Sequence, residues 1–75
     1  MPRLPVLSGR EVVRAFESLD WRVARQSGSH IVLVKEGHVA SLSVPDHREV
    51  ARGTLRKLIR AADLTVGEFI DAVNS

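Results

Sequence analysis

One histidine of this sequence stands where chemistry is possible. His30 follows the polar stretch RQSGS and precedes the apolar segment IVLV. Imidazole exchanges a proton near neutral pH, so a histidine held at the mouth of a sheet can act as a general acid or base. The alternative is a hydrogen-bonded histidine at the end of a strand, and from the residues alone that interpretation carries more weight.

Two short hairpin signals, Ser27–Gly28 and Glu36–Gly37, determine which side chains lie beside His30. They divide three predicted strands, at residues 21–26, 29–35 and 38–44. If both loops have two residues, Arg25 and Ser43 lie opposite His30 on the neighbouring strands and share its face. An arginine, a histidine and a hydroxyl in one row can hold a phosphodiester, with the guanidinium on the phosphate oxygens. The register therefore predicts a polar row suited to phosphodiester chemistry.

The predicted sheet is apolar on both faces. The face that carries His30 is expected to hold five apolar residues: Trp21, Val23, Val32, Val34 and Val39. The chain's own helices can readily cover only the other face, and a sheet that is apolar on both sides usually has something on each. We therefore expect a partner protein on the face of His30.

Helical signals flank the strands. The segments SGRE and TVGE form capping boxes, with Ser8 and Thr65 as the N-caps, and apolar residues follow each at helical spacing. The patterns predict a helix over residues 8–19, a second after the polar connection 46–51 and a third over residues 65–73. The predicted fold class is α+β, with helices packed on one face of a three-stranded antiparallel sheet in the order α-β-β-β-α-α. A chain of 75 residues has room for one domain, residues 1–75.

The second predicted helix presents a basic stripe. Its members are Arg52, Arg56, Lys57 and Arg60. Like charges four residues apart repel each other, so the stripe needs compensation, which RNA phosphates would supply. A solvated outer face is the alternative of equal weight.

Composition excludes several other classes of site. The chain has no cysteine, its three histidines lack metal-ligand spacing and no acidic cluster accompanies them, so we expect neither a metal nor another cofactor. His38 is expected at the surface, and His47 is either a solvated turn residue or a second proton-transfer group. No apolar segment is long enough for a signal peptide or a membrane span, which predicts a cytoplasmic protein without a membrane partner. The pI of 9.9 permits nucleic-acid binding without establishing it.

Four segments together closely resemble HicA toxins, the small mRNA-cleaving ribonucleases of bacterial toxin–antitoxin pairs. The segments are LSGREVVRAF, RQSGSH, VPDH and RGTLRKLIRAADLTVGEF, and the resemblance runs from about Leu7 to Val73. Its most specific piece is Gly-Ser-His at residues 28–30. The family often has glycine, as a helix C-cap, directly before the first strand. Asp20 stands there in this chain, which bears on how the first helix ends and not on catalysis.

The resemblance implies a fold similar to the double-stranded RNA-binding domain and one essential histidine, which maps to His30. It also implies metal-independent cleavage of RNA and a HicB-like antitoxin that blocks the site. In the expected reaction the ribose 2′-hydroxyl attacks the adjacent phosphate, which leaves a cyclic phosphate and a 5′-hydroxyl. Arg25 would steady the phosphate and Ser29 or Ser43 would donate a hydrogen bond, with Gly28 and the basic stripe as further RNA-binding residues. The alternatives are a non-catalytic RNA-binding module of the same fold and a protein-binding adaptor.

Overall fold

The computed structural model describes residues 3–75 and contains three helices and three strands. Along the chain these are α1 (Gly9–Glu17), β1 (Arg22–Ser27), β2 (His30–Val34), β3 (Leu42–Pro45), α2 (Arg52–Ala61) and α3 (Val66–Val73). The strands form one antiparallel sheet in the order β1-β2-β3. Helix α1 packs against β1, β3 and α3, and α2 packs against β3 and α3. The predicted α+β class and element order are therefore confirmed.

Both predicted capping boxes are confirmed. The Ser8 hydroxyl accepts the Glu11 N–H at 3.2 Å, and the Ser8 N–H donates to the Glu11 carboxylate at 2.9 Å. Thr65 and Glu68 make the same exchange at 3.0 and 2.8 Å. The ionised carboxylate accepts hydrogen bonds from the backbone N–H and from the hydroxyl of the cap residue. The pKa of Glu11 and the pKa of Glu68 therefore lie below the ordinary value.

Helix α1 ends at Glu17, two residues before the predicted end. Asp20 has a φ of +74°, and the Trp21 N–H donates to the Phe16 carbonyl at 3.1 Å, which closes the helix in the manner usual for a glycine C-cap. Aspartate is among the residues that tolerate this left-handed conformation. The reversal directs Trp21 into the core at 2 % exposure, so the prediction that Trp21 shares the face of His30 is wrong.

The first hairpin turns one residue later than predicted. Its loop is Gly28–Ser29, and Ser27 pairs with His30. Gly28 has a φ of +58° and Ser29 keeps a negative φ, which is the pattern of a type II′ turn with glycine first. The predicted loop would have required serine at a positive φ. The register is shifted by two residues, which leaves the strand residues from Arg25 to Val34 on their predicted faces.

The second hairpin does not have the predicted two-residue loop. The His38 N–H donates to the Lys35 carbonyl at 3.1 Å, and Gly37, the third residue of this turn, has a φ of +80°. A positive φ at that position alone is typical of a type II turn, whose twist does not match that of paired strands. The ladder therefore resumes only at Leu42, and residues 35–41 form a longer connection.

The outer face of the sheet, which is the face opposite the helices, differs from the prediction because β1 contains a bulge. The register shifts between Val23 and Arg25, so Val23 pairs with the core residue Leu33 and does not share the outer face with His30. Val39, also predicted there, lies in the connection and is fully exposed. Val32 does lie on the outer face but is only 9 % exposed. The outer face is therefore less apolar than predicted.

The core lies between the inner face of the sheet and the helices. The sheet contributes Ile31, Leu33, Leu42 and Val44. Gly9 brings the first turn of α1 against the end of β3, because a Cβ at this position would overlap the Pro45 carbonyl oxygen. The Gly9 N–H also donates to the His47 carbonyl at 2.9 Å. These contacts place α1 beside the end of β3 that pairs with His30.

Candidate functional site

His30 is exposed at the first position of the central strand. The turn before it leaves open space, since no atom lies within 4 Å of a Cβ built on Gly28. Glycine is thus required there for its positive φ and not for room. The Ser29 carbonyl accepts the Asp46 N–H at 2.6 Å, which fixes the turn to the chain just after β3. The Gly-Ser-His turn is therefore exposed on its outer side and anchored through its backbone.

The predicted row of Arg25, His30 and Ser43 is wrong in register but right in face. His30 pairs with Pro45, whereas Arg25 and Ser43 pair with Val32 from its two sides. Because the shift is an even number of residues, the three polar side chains still project from one face. Arg25 and Ser43 are diagonal neighbours of His30, a spacing of roughly 7–8 Å that long side chains can bridge.

Ser43 does reach the histidine. Its Oγ lies 3.3 Å from His30 Nδ1, which is the one hydrogen bond that the structure gives this ring within residues 3–75. A hydroxyl both donates and accepts, so it can hold the ring with the proton on either nitrogen. When Nδ1–H donates to the Ser43 hydroxyl, Nε2 of the neutral ring is a base and Nε2–H of the protonated ring is an acid, so the same bond holds the ring in both states. The arrangement therefore suits proton transfer in both directions at Nε2.

Arg25 is the cation of the outer face nearest to His30 in the register. Its side chain is exposed and makes no ion pair within the part of the chain that the structure describes. A guanidinium stays protonated at all ordinary pH values and can bind two phosphate oxygens at once. Arg25 is thus available for an anionic ligand that approaches His30 along the outer face.

Sequence reasoning missed a polar cluster on the other side of the turn. The Asp46 carboxylate accepts hydrogen bonds from Arg10 Nε at 3.3 Å, from an Arg10 terminal nitrogen at 3.2 Å and from Gln26 Nε2 at 3.2 Å. Asp46 stands inside the segment VPDH, directly after the strand-ending Pro45. Its partners lie 36 and 20 positions away, and no local spacing signals that these residues meet.

His38 is not the surface residue that was predicted. Its side chain is 20 % exposed, and its ring packs on Trp21 with 5.0 Å between ring centroids. Nδ1 accepts the Ala40 N–H at 3.3 Å, so Nε2 carries the proton of the neutral ring and donates to Asp63 at 3.0 Å. Both ring nitrogens are therefore engaged, and His38 links the strand connection to the end of α2.

The basic stripe lies in a different layer from His30. All four of its side chains are exposed on α2, which packs on the inner side of the sheet. Arg52 also donates to the Leu4 carbonyl at 3.3 Å, which ties the N-terminal segment to the helix. Arg56 and Arg60 line an open cavity of about 320 Å³. Contact of this stripe with RNA stays a prediction.

The remaining candidate groups give no further site. His47 is exposed, in agreement with a solvated turn residue, and its role in proton transfer stays open. Residues 3–75 contain no group of three His, Asp or Glu side chains arranged to hold a metal ion. Within the same residues, no helix is long and apolar enough to cross a membrane.

Comparison with protein-family models matches residues 9–64, about three quarters of the chain, to the HicA toxin of bacterial toxin–antitoxin systems. No curated protein and no solved structure matches the chain. The matched residues comprise α1, all three strands and α2, and they include the exposed turn with His30 and the polar side chains around it. The chain therefore belongs to the HicA family, the toxins of bacterial toxin–antitoxin pairs.

Proposed function

We propose that this toxin is a metal-independent endoribonuclease that cleaves mRNA, with His30 as its general acid or base. One observation carries the proposal: His30 is exposed, its ring is held through Nδ1 by Ser43, and its Nε2 points away from that bond. Arg25 lies on the same face without an ion pair among the described residues. A proton-transfer group and an unpaired guanidinium on one face of the sheet suit phosphodiester chemistry.

The proposed reaction is an internal transfer at phosphorus. The ribose 2′-oxygen forms a bond to the adjacent phosphorus and loses its proton, while the bond from phosphorus to the 5′-oxygen breaks and that oxygen gains a proton. His30 Nε2 performs one of these proton transfers. Arg25 binds the non-bridging oxygens, on which negative charge develops. Ser29 or Ser43 donates a further hydrogen bond, and Gly28 forms the turn that presents these groups to the RNA backbone.

The direct test is His30→Ala. Loss of a general acid or base lowers the cleavage rate by about 10²–10⁴-fold. Because the side chain is exposed and makes one hydrogen bond, the folded state and RNA binding should remain close to those of the wild type. The measurements are single-turnover cleavage of a mixed-sequence RNA, urea unfolding and growth arrest on induction. A folded His30→Ala protein that cleaves at the wild-type rate would refute the proposal.

The ends of the RNA fragments test the chemistry independently of any mutation. Internal transfer leaves a 2′,3′-cyclic phosphate and a 5′-hydroxyl, and the reaction should continue in excess chelator. Fragments with a 5′-phosphate, or activity that disappears with chelator and returns with magnesium, would contradict this route while leaving the toxin a nuclease.

RNA binding without cleavage is the second candidate, and the exposed charges of α2 favour it. Arg56→Gln in the uncleaving His30→Ala background should reduce the slope of log K against log salt by roughly 0.7 if the residue contacts one phosphate of a single strand. Arg14→Gln, which removes an exposed charge from α1, is the matched control and should leave the slope unchanged. Equal slopes in all three proteins would mean that the stripe is only a solvated face.

As the toxin of a toxin–antitoxin pair, the protein acts together with a cognate antitoxin. We infer that this partner is HicB-like and inhibits by covering the His30 turn. Among residues 3–75, no helix packs on the outer face and Arg25 makes no ion pair, which suits an acidic partner surface that would also accelerate encounter. Amide hydrogen exchange at residues 25–30 should slow in the complex, and RNA should compete with the partner. Unchanged exchange there, with full RNA affinity of the complex, would rule out occlusion. A protein that neither cleaves nor binds RNA yet binds its partner would be an adaptor.

A further inference from the structure

Asp46 lies where three elements of the fold meet beside the His30 turn. Its carboxylate receives two hydrogen bonds from Arg10 in α1 and one from Gln26 in β1. Its own N–H donates to the Ser29 carbonyl at 2.6 Å. One residue after β3 thus contacts the first helix, the first strand and the turn that presents His30.

We expect this cluster to affect mainly the positions of the residues that it joins, and to contribute little to the free energy of unfolding. The side chains of Arg10 and Asp46 are 66 % and 24 % exposed, and an ion pair of that exposure contributes little to stability. A misplacement of about 1 Å at a reacting group, by contrast, can cost about 10²-fold in rate. A small stabilising contact can therefore have a large effect when it determines where a catalytic group stands.

The path from the carboxylate to the histidine is short. Pro45, the strand partner of His30, directly precedes Asp46, and the Asp46 N–H holds the carbonyl of Ser29, the residue before His30. A sideways movement of residues 45–46 would therefore move both the partner and the turn of the histidine. Arg10 and Gln26 oppose that movement from two sides.

We propose that Asp46 is a positioning residue for His30, a role that rests on the proposed RNA cleavage. It clamps the end of β3 between α1 and β1 and thereby fixes the His30 ring relative to the bound phosphate. It does not take part in proton transfer, since its carboxylate is occupied by Arg10 and Gln26.

The test is Asp46→Asn, measured against Asp63→Asn. Both changes remove the charge of an aspartate that accepts a hydrogen bond from a basic side chain, but Asp63 pairs with His38 at the opposite end of the sheet. We expect Asp46→Asn to lower kcat by about tenfold with KM within twofold, and Asp63→Asn to leave kcat within twofold. Gln26→Met removes the bond from β1 alone and should lower kcat by a smaller factor.

A second readout needs no RNA. The Cε1–H group of the His30 ring gives one NMR signal, assigned by its loss in His30→Ala, and this signal should shift in Asp46→Asn and stay in place in Asp63→Asn. A kcat within twofold of wild type in Asp46→Asn, equal losses in both variants or an unmoved ring signal would each overturn the positioning role. If the wild-type protein cleaves no RNA, the proposed cleavage fails, and the ring signal still decides whether Asp46 holds His30.

Discussion

The two ends of the sheet each carry a histidine beside a glycine turn, and the fold holds the two rings in opposite ways. His30 is exposed, with one ring nitrogen on the Ser43 hydroxyl. His38 is mostly buried against Trp21, with both nitrogens bonded. The same residue type, within two positions of a glycine in each case, is thus available for proton transfer at one end and serves as a structural link at the other.

The difference begins with the position of glycine in each turn. A positive φ at the first loop residue, Gly28, keeps the hairpin tight, so the ladder extends up to His30. A positive φ at Gly37, the third residue of its turn, opens the ladder and releases residues 35–41. The released segment carries His38 back to Trp21 and Asp63. Turn geometry, more than composition, therefore decides which histidine faces solvent.

Alanine substitutions of the two histidines, made separately, test this contrast with the largest expected effects. His30→Ala should lower the cleavage rate by about 10²–10⁴-fold and change the free energy of unfolding by less than about 0.5 kcal/mol. His38→Ala should do the reverse. It removes the stacking on Trp21 and the bond to Asp63 and leaves the Ala40 N–H without its acceptor, so we expect about 2 kcal/mol of lost stability and an unchanged rate per folded molecule.

Urea unfolding and single-turnover cleavage, both at a temperature where each variant is folded, measure the two effects separately. The contrast is wrong if His38→Ala lowers the cleavage rate per folded molecule, or if His30→Ala unfolds the protein.

The two turn glycines form a natural matched pair with intermediate expected effects. Neither has an atom within 4 Å of a built Cβ, so alanine at either position introduces backbone strain and no clash. We expect Gly28→Ala and Gly37→Ala each to cost about 1–2 kcal/mol of stability. Only Gly28→Ala should also slow cleavage, by about tenfold, because it distorts the turn that carries His30.

Cleavage kinetics of the two proteins at equal folded concentration decide the matter. Equal rates would show that the His30 turn tolerates distortion, and equal losses would show that the two ends of the sheet are coupled.

The sequence predicted what depends on local chemistry. Both capping boxes, the element order and the confinement of the helices to one face follow from side-chain types at short spacing, and each is confirmed. The register of the strands could not be predicted, because counting from Ser27–Gly28 assumed glycine in the second loop position. The bulge between Val23 and Arg25 leaves no mark in the pattern of apolar residues either.

The residues of the candidate site likewise fall into those that a local motif predicts and those that only the fold brings together. His30, Gly28 and Ser29 are contiguous, so a short motif was sufficient to select them. Asp46 gains its importance from partners 20 and 36 positions away, and only the packing of α1 on the end of β3 brings them together. His38 is likewise bonded to Asp63, which lies 25 positions further along the chain.

The smallest expected effect concerns acid, and it separates the helix caps from the two histidines. Because the capping boxes hold the pKa of Glu11 and the pKa of Glu68 below 4.5, their ionised forms stabilise the fold above that pH. This stabilisation is lost as the pH falls through the lower values of the folded state. The urea midpoint should therefore stay level at neutral pH and decline below about pH 4.5.

Glutamine is the suitable replacement, because it retains the geometry of the capping box without titrating. Glu11→Gln and Glu68→Gln should each make the acid decline shallower and lower the neutral plateau slightly, because glutamine lacks the charge that strengthens the capping bond. His38→Ala should lower the neutral plateau by a larger amount, because it removes the packing on Trp21 and two hydrogen bonds. A decline that is as steep in Glu11→Gln and Glu68→Gln as in the wild type would show that the capping boxes do not cause it.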